Sequence, residues 1–143
     1  MADTNKSFRR IFFHSFLVIT LFLTFIFSGC QVHEGPGGLA SITGRVYAFD
    51  YNAELTTLLN EGYAGEVDVY IVYGENAVFD DDQKTHFDGR FRFDFLKKGT
   101  YTLFVYSKDS TLANVKIEYP IMKTVEITEK NQDMDLGDFV VWN

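Results

Sequence analysis

The sequence predicts an all-β fold, a Greek-key β-sandwich of about seven strands. Three observations lead there. Apolar and polar side chains alternate with period two along most of the chain beyond residue 40; in Arg90 to Phe95, for instance, Phe91, Phe93 and Phe95 interleave with Arg90, Arg92 and Asp94. Turn-forming pairs such as Asp88-Gly89 punctuate these runs. Helical periodicity does not recur between them, which argues against an alternating α/β chain.

Ser41 to Phe49 predicts the first strand, with Ile42, Val46 and Ala48 on the face of Gly44, and Arg45 and Tyr47 on the other. In Asp50 to Gly62, Leu55, Leu58 and Leu59 fall on one helical face, Asn52 can cap the start and Gly62 can stop it. This predicts a short helical insertion near 52–60 over an open end of the sandwich. Glu66 to Tyr73 predicts the second strand, with Val67, Val69, Ile71 and Tyr73 inward and Asp68, Tyr70 and Val72 outward. Gly74 to Lys84 reads as a loop.

Thr85 to Tyr106 predicts three consecutive antiparallel strands. Asp88-Gly89 suits a two-residue hairpin because both residues tolerate positive φ. Phe91, Phe93 and Phe95 form a core face, Leu96 and Gly99 close a second turn, and Tyr101, Leu103 and Val105 begin the next strand. Lys108 to Asn114 is a polar loop. Val115 to Ile127 alternates again, and Pro120 removes a ladder donor, so this element is an edge strand or is broken there. Met134 to Trp142 is the last strand; its alternation shifts phase near Gly137, which predicts a bulge.

Thr85, Asp88-Gly89, Phe91, Phe93, Leu96, Gly99, Tyr101 and Leu103, in this spacing, resemble the signature of carboxypeptidase regulatory-like domains, which have a prealbumin-like (transthyretin-like) sandwich. Gly44 and Val46 resemble that family's first strand, and Ala64 to Ile71 its second. The resemblance spans Ser41 to Trp142 and implies the fold; it implies no activity, because one fold hosts many functions.

Residues 1–29 have the layout of a secretory signal: Lys6, Arg9 and Arg10 precede a 17-residue, mostly apolar run from Ile11 to Phe27. The length of the run alone leaves a retained membrane helix open. Phe27-Ser28-Gly29-Cys30 resembles a bacterial lipobox, with Phe where Leu is usual. That resemblance implies that Cys30 becomes a lipidated (palmitate-bearing) mature N-terminus. Several acyl chains together anchor firmly where one alone is marginal. Gln31 in the next position implies sorting to the outer membrane, with the periplasmic face and the cell surface both open. Residues 30–40, rich in Gly and containing Pro36, read as a flexible linker, and 41–143 as the folded domain.

The chain carries a net charge of −7. The first 29 residues contribute +2, so the remainder stands at about −9. This argues against a nucleic-acid partner, which would need Lys/Arg patches. Cys30 is the only cysteine, so no internal disulfide can form.

No catalytic constellation emerges. His33 and His86 are the only histidines beyond the signal, and neither G-x-S-x-G nor H-E-x-x-H occurs. Transthyretin-like hydroxyisourate hydrolases end in Tyr-Arg-Gly-Ser, whereas this chain ends Val141-Trp142-Asn143, so that activity does not carry over. Two sets of surface candidates remain. Asp80, Asp81, Asp82 and Asp88 offer hard oxygen ligands for calcium, though not at EF-hand spacing, and read more readily as a solvated acidic loop. Tyr47, Phe49, Tyr70, Phe104 and Tyr106 fall on the outward register, where aromatic rings stack on a sugar or dock a partner, or simply pair across strands. The expectation is a non-catalytic, lipid-anchored envelope protein that needs no cofactor. It serves as an interaction or assembly module for another envelope protein or, alternatively, as a carbohydrate-binding accessory that holds a glycan.

Overall fold

The computed structural model describes residues 33–54, 56–108 and 117–143. The expected signal segment 1–29, Cys30, Gln31 and Val32, Leu55, and the stretch 109–116, with Val115, lie outside the described residues.

Eight strands follow in chain order: β1 Pro36–Tyr51, β2 Leu58–Tyr63, β3 Asp68–Tyr73, β4 Asp81–Lys84, β5 Arg90–Leu96, β6 Gly99–Lys108, β7 Glu118–Ile127 and β8 Asp133–Trp142. They form two sheets that pack as a sandwich, and no helix occurs among the described residues. In the first sheet β1 is central. Parallel β8 lies along one edge, while the other edge is shared end to end by antiparallel β5, as far as Arg45, and β2, from Tyr47. Val46 sits at the handover: its N–H donates to Gly89 O at 2.9 Å and its carbonyl accepts from Ala64 N at 3.0 Å. The second sheet is antiparallel, in the order β4-β3-β6-β7.

Alternation explains the core. Ile42, Val46, Val69, Ile71, Tyr101, Leu103, Val105, Phe139 and Val141 are all fully buried between the sheets, on the faces that period two assigns them. Phe91 and Phe93 join them, and Phe91 packs edge-on against Phe139 with ring centroids 5.8 Å apart. The last strand carries the expected bulge: between Thr43 and Arg45 of β1, β8 advances from Asp135 to Asp138.

Several expectations need correction. The chain from Pro36 to Ala40, expected as linker, is the start of β1. Gly38 is what permits this, since a Cβ there would lie 1.8 Å from the Leu96 carbonyl oxygen. The helical insertion near 52–60 is instead a hairpin into β2. Asn52 does cap, but it caps a turn: its Oδ1 accepts from Thr56 N at 2.8 Å and Thr57 N at 2.9 Å. Leu58 and Leu59 are exposed, so the helical face has nothing to bury against. The expected loop from Gly74 to Lys84 ends in strand β4, which pairs with β3.

The expected three-strand meander is also wrong: its first arm, from Thr85, is not a strand, since β4 ends at Lys84, and the remaining two do not pair with each other. β4 and β6 belong to the second sheet, and β5 to the first. Asp88-Gly89 therefore carries the chain from one sheet to the other and does not close a hairpin. Gly89 has φ 77° and is buried, with the Val46 carbonyl 2.7 Å from where a Cβ would sit. Phe87 is exposed, and so is Phe95, which was expected in the core. Phe95 has φ 60°, and the ladder slips there: between the pairs Ala40–Leu96 and Ile42–Phe93, one residue of β1 faces two of β5. The bulge turns Phe95 outward and puts Leu96 in the core.

Candidate functional site

The five outward aromatics do not make one patch. Tyr47 and Phe49 lie on the outer face of the first sheet; Tyr70, Phe104 and Tyr106 lie on that of the second. Each group recruits rings that the alternation did not single out.

On the first sheet, Tyr47 pairs across β1 and β2 with Tyr63, rings edge to face at 5.3 Å, and Phe49 pairs with Trp142 of β8, stacked at 6.0 Å. Arg45 lies with its guanidinium 4.3 Å from the centroid of the Tyr63 ring, and its Nε donates to Asp138 Oδ1 at 3.1 Å. The Tyr63 hydroxyl donates to the other Asp138 oxygen at 3.3 Å. Tyr63 was hidden by the helical expectation for its neighbours. Trp142 was hidden by the phase shift in β8.

On the second sheet, Tyr70 and Phe104 are directly opposed across β3 and β6 and stack at 5.0 Å, with planes 17° apart. Phe79 leans on Tyr70 at 4.9 Å, and Tyr106 meets both Tyr70 and Phe104 edge-on, at 5.7 and 5.6 Å. Phe79, Phe104 and Tyr106 border an open groove of about 460 Å³ beneath the loop joining β3 to β4, which Val72, Val78 and Met122 also help to line. Val78 is 71% exposed and Met122 58%, and Phe79 and Tyr106 are nearly half exposed. The surroundings are acidic. Burial, followed by the nearby Asp68 and Asp82 carboxylates, pushes the Tyr70 phenol above its ordinary range.

The four calcium candidates are not brought together. Asp80 is occupied by its own turn: Oδ2 accepts from Tyr73 N at 2.7 Å and Oδ1 from Asn76 Nδ2 at 2.8 Å. Asp81 and Asp82 are successive residues of β4, opposite Ile71 and Tyr70, so their side chains leave the strand on opposite faces. Asp88 sits in the sheet-crossing turn and pairs with Arg90 at 3.4 Å. Among the described residues, no group of three or more His, Cys, Asp or Glu side chains could hold a metal ion.

A second concavity, of about 660 Å³, opens where β5 and β4 run past each other; Thr43, Arg45, Lys84, His86, Arg90 and Arg92 are among its lining residues, with Asp88 and Asp135. His86 is exposed, as a surface histidine should be. Sequence reasoning did not identify this cleft, because its residues come from four strands and a turn whose pairing the alternation cannot specify.

No family model matches the chain, and no curated protein matches it significantly. Among solved structures it is similar to a protein from Pseudomonas aeruginosa described as a "putative carbohydrate binding protein", at 12% identity and a TM-score of 0.43, covering 76% of this chain and 91% of that one. It is also similar to an (S)-allantoin synthase, at 12% identity and a TM-score of 0.41, covering 71% of this chain and 42% of that one.

Proposed function

We propose that the protein is a non-catalytic interaction module, lipid-anchored through Cys30 in the bacterial outer membrane, with a carboxypeptidase regulatory-like sandwich as its scaffold. The observation that carries this reading is the groove on the outer face of the second sheet. It combines exposed aliphatic side chains, Val78 and Met122, with the rings of Phe79 and Tyr106. An apolar surface of this kind, held on a rigid antiparallel sheet, gains most by taking apolar side chains out of water.

The acidic setting narrows the partner. Asp82 shares the outer face with Tyr70, Asp68 on that face is paired with Lys84 at 3.2 Å, and Glu75 belongs to the groove's lining. The occupant that fits both features is a protein segment with apolar residues flanked by Lys or Arg. The test is a binding titration of the chain with peptides of apolar–basic composition. Binding that Met122→Glu and Val78→Ser abolish, while the unfolding midpoint stays unchanged, supports the proposal. Binding indifferent to both substitutions, or none, removes it.

A glycan ligand is the second reading, favoured by the continuity of the ring strip from Phe79 through Tyr70 to Tyr106. Sugar faces stack on such rings. Retention of the chain by neutral oligosaccharides, lost in Tyr106→Ala, would favour it over the peptide.

A further inference from the structure

The cleft between β5 and β4 gathers the arginines of an acidic molecule, each beside a carboxylate: Asp138 for Arg45, Asp88 for Arg90, and Asp94 and Asp133 for Arg92. Beyond the signal the chain is acidic, yet Arg45, Arg90 and Arg92, the only arginines after residue 10, all line this one concavity, with Lys84 and His86 beside them. Arginine differs from lysine in presenting a planar fork of donors that matches carboxylate and phosphate oxygens.

The register makes the grouping costly. Arg45 of β1 and Arg90 of β5 are direct cross-strand partners, and Thr43 and Arg92 are the next pair on that face. Like charges directly opposed across a ladder are destabilising. Local departures of this kind from what favours the fold concentrate at functional positions. Asp138 and Asp88 each answer one of the two, but both contacts are made through Nε: Arg45 to Asp138 at 3.1 Å and Arg90 to Asp88 at 3.4 Å. Among the described residues no hydrogen bond engages Nη1 or Nη2 of either arginine. Both side chains are open to water, Arg45 at 41% and Arg90 at 71%.

We infer that this cleft binds an oxyanion, the carboxylate or phosphoryl group of a small ligand, through the forks of Arg45 and Arg90. The bound anion engages the Nη donors that Asp138 and Asp88 leave open, and Lys84, itself 3.2 Å from Asp68, adds positive charge from the facing strand. Asp135 and Asp88 limit the site to a ligand that offers its charge at the arginines. The site is separate from the apolar groove and does not depend on the proposal made for it.

The experiment is thermal unfolding of the chain at low ionic strength, with millimolar inorganic phosphate, sodium glucuronate or sodium chloride matched in ionic strength. Phosphate or glucuronate should raise Tm by several degrees over chloride, because a ligand that binds only the folded state stabilises it. A response to phosphate alone assigns a phosphoryl ligand; a response to glucuronate alone assigns a carboxylate. Arg45→Gln and Arg90→Gln should each lose most of the rise, while Lys130→Gln, an exposed change away from the cleft, should keep it. Equal midpoints in all three salts would overturn the inference, as would a rise that survives in both arginine variants.

Discussion

The hydroxyl of Tyr101 accepts a hydrogen bond from the buried amide of Gly35 at 3.0 Å and donates to the carbonyl of Lys97 at 2.8 Å. Tyr101 is fully buried in β6, so its phenol ties the entry to β1 to the turn between β5 and β6. Tyr101→Phe keeps the ring and strands both backbone groups, which should cost about 1–3 kcal/mol in denaturant unfolding. The residue also sets an alkaline dependence. Burial is the main cause of its phenol lying above the ordinary 10.0. The folded state therefore favours the protonated form, and this contribution is complete below pH 10 and is lost as pH rises through the higher folded value. Tyr101→Phe should flatten the fall in stability above pH 10, leaving the share due to Tyr70 and Tyr73, whose phenols are raised in the same direction.

Phe93 and Phe95 stand two residues apart and should behave oppositely. Phe93 is 5% exposed and Phe95 68%. Phe93→Ala should cost about 3–5 kcal/mol, a large share of the roughly 5–15 kcal/mol that holds such a domain together. Phe95→Ala should cost under about 0.5 kcal/mol, as an exposed change does. Arg92→Ala removes only exposed ion pairs to Asp94 and Asp133 and should leave unfolding nearly unaltered. Chemical denaturation of the three variants checks the bulge, and equal losses at Phe93 and Phe95 would refute it.

Gly38 and Gly89 are places where backbones meet. Gly38→Ala would drive a methyl group into the Leu96 carbonyl, and Gly89→Val would meet the Val46 carbonyl from a φ of 77°. Both variants should unfold at clearly lower denaturant concentration than wild type. Hydrogen exchange locates the damage: Gly89→Val should expose the Val46 and Ala64 amides first, because these flank the handover from β5 to β2.

Lys123 closes one side of the sandwich. It projects from β7, and its ammonium donates to the carbonyls of Leu136 at 2.6 Å and Asp138 at 3.0 Å, 4.8 Å from the Phe139 ring centroid. These acceptors lie at the β8 bulge. Lys123→Met keeps the apolar stem and removes the charge-assisted bonds, so a loss of about 1.5–3 kcal/mol is expected from denaturant melts.

Cys30→Ser tests the proposed lipid anchor. The variant should be unlipidated and should leave the outer-membrane fraction, as intact mass and cell fractionation would report. A variant that stays in that fraction at the mass expected from wild type plus the substitution alone would rule lipidation out.

The sequence alone determined the all-β class, six of the eight strands and most of the core; β2 and β4 were not legible in it. Alternation is a local property, and each strand's inward face is written in its own residues: Val69 and Ile71, Tyr101 and Leu103, and Phe91 and Phe93 are buried as their spacing requires. The phase shift at Gly137 was legible for the same reason. Tertiary structure decided which strands pair. Asp88-Gly89 turns the chain whether its arms share a sheet or part into two, and only the ladder from β5 to β1 separates the cases. The same holds at Phe95, where the slip against Ala40 and Ile42 overrides a faultless alternation. It holds also for the surface: Tyr47 and Tyr70 were found as outward rings, but their separation onto opposite sheets, and the meeting of Arg45 with Arg90, depend on register between segments far apart in the chain. Periodicity fixes the side of a strand on which a residue lies; hydrogen bonding between distant strands fixes what stands next to it.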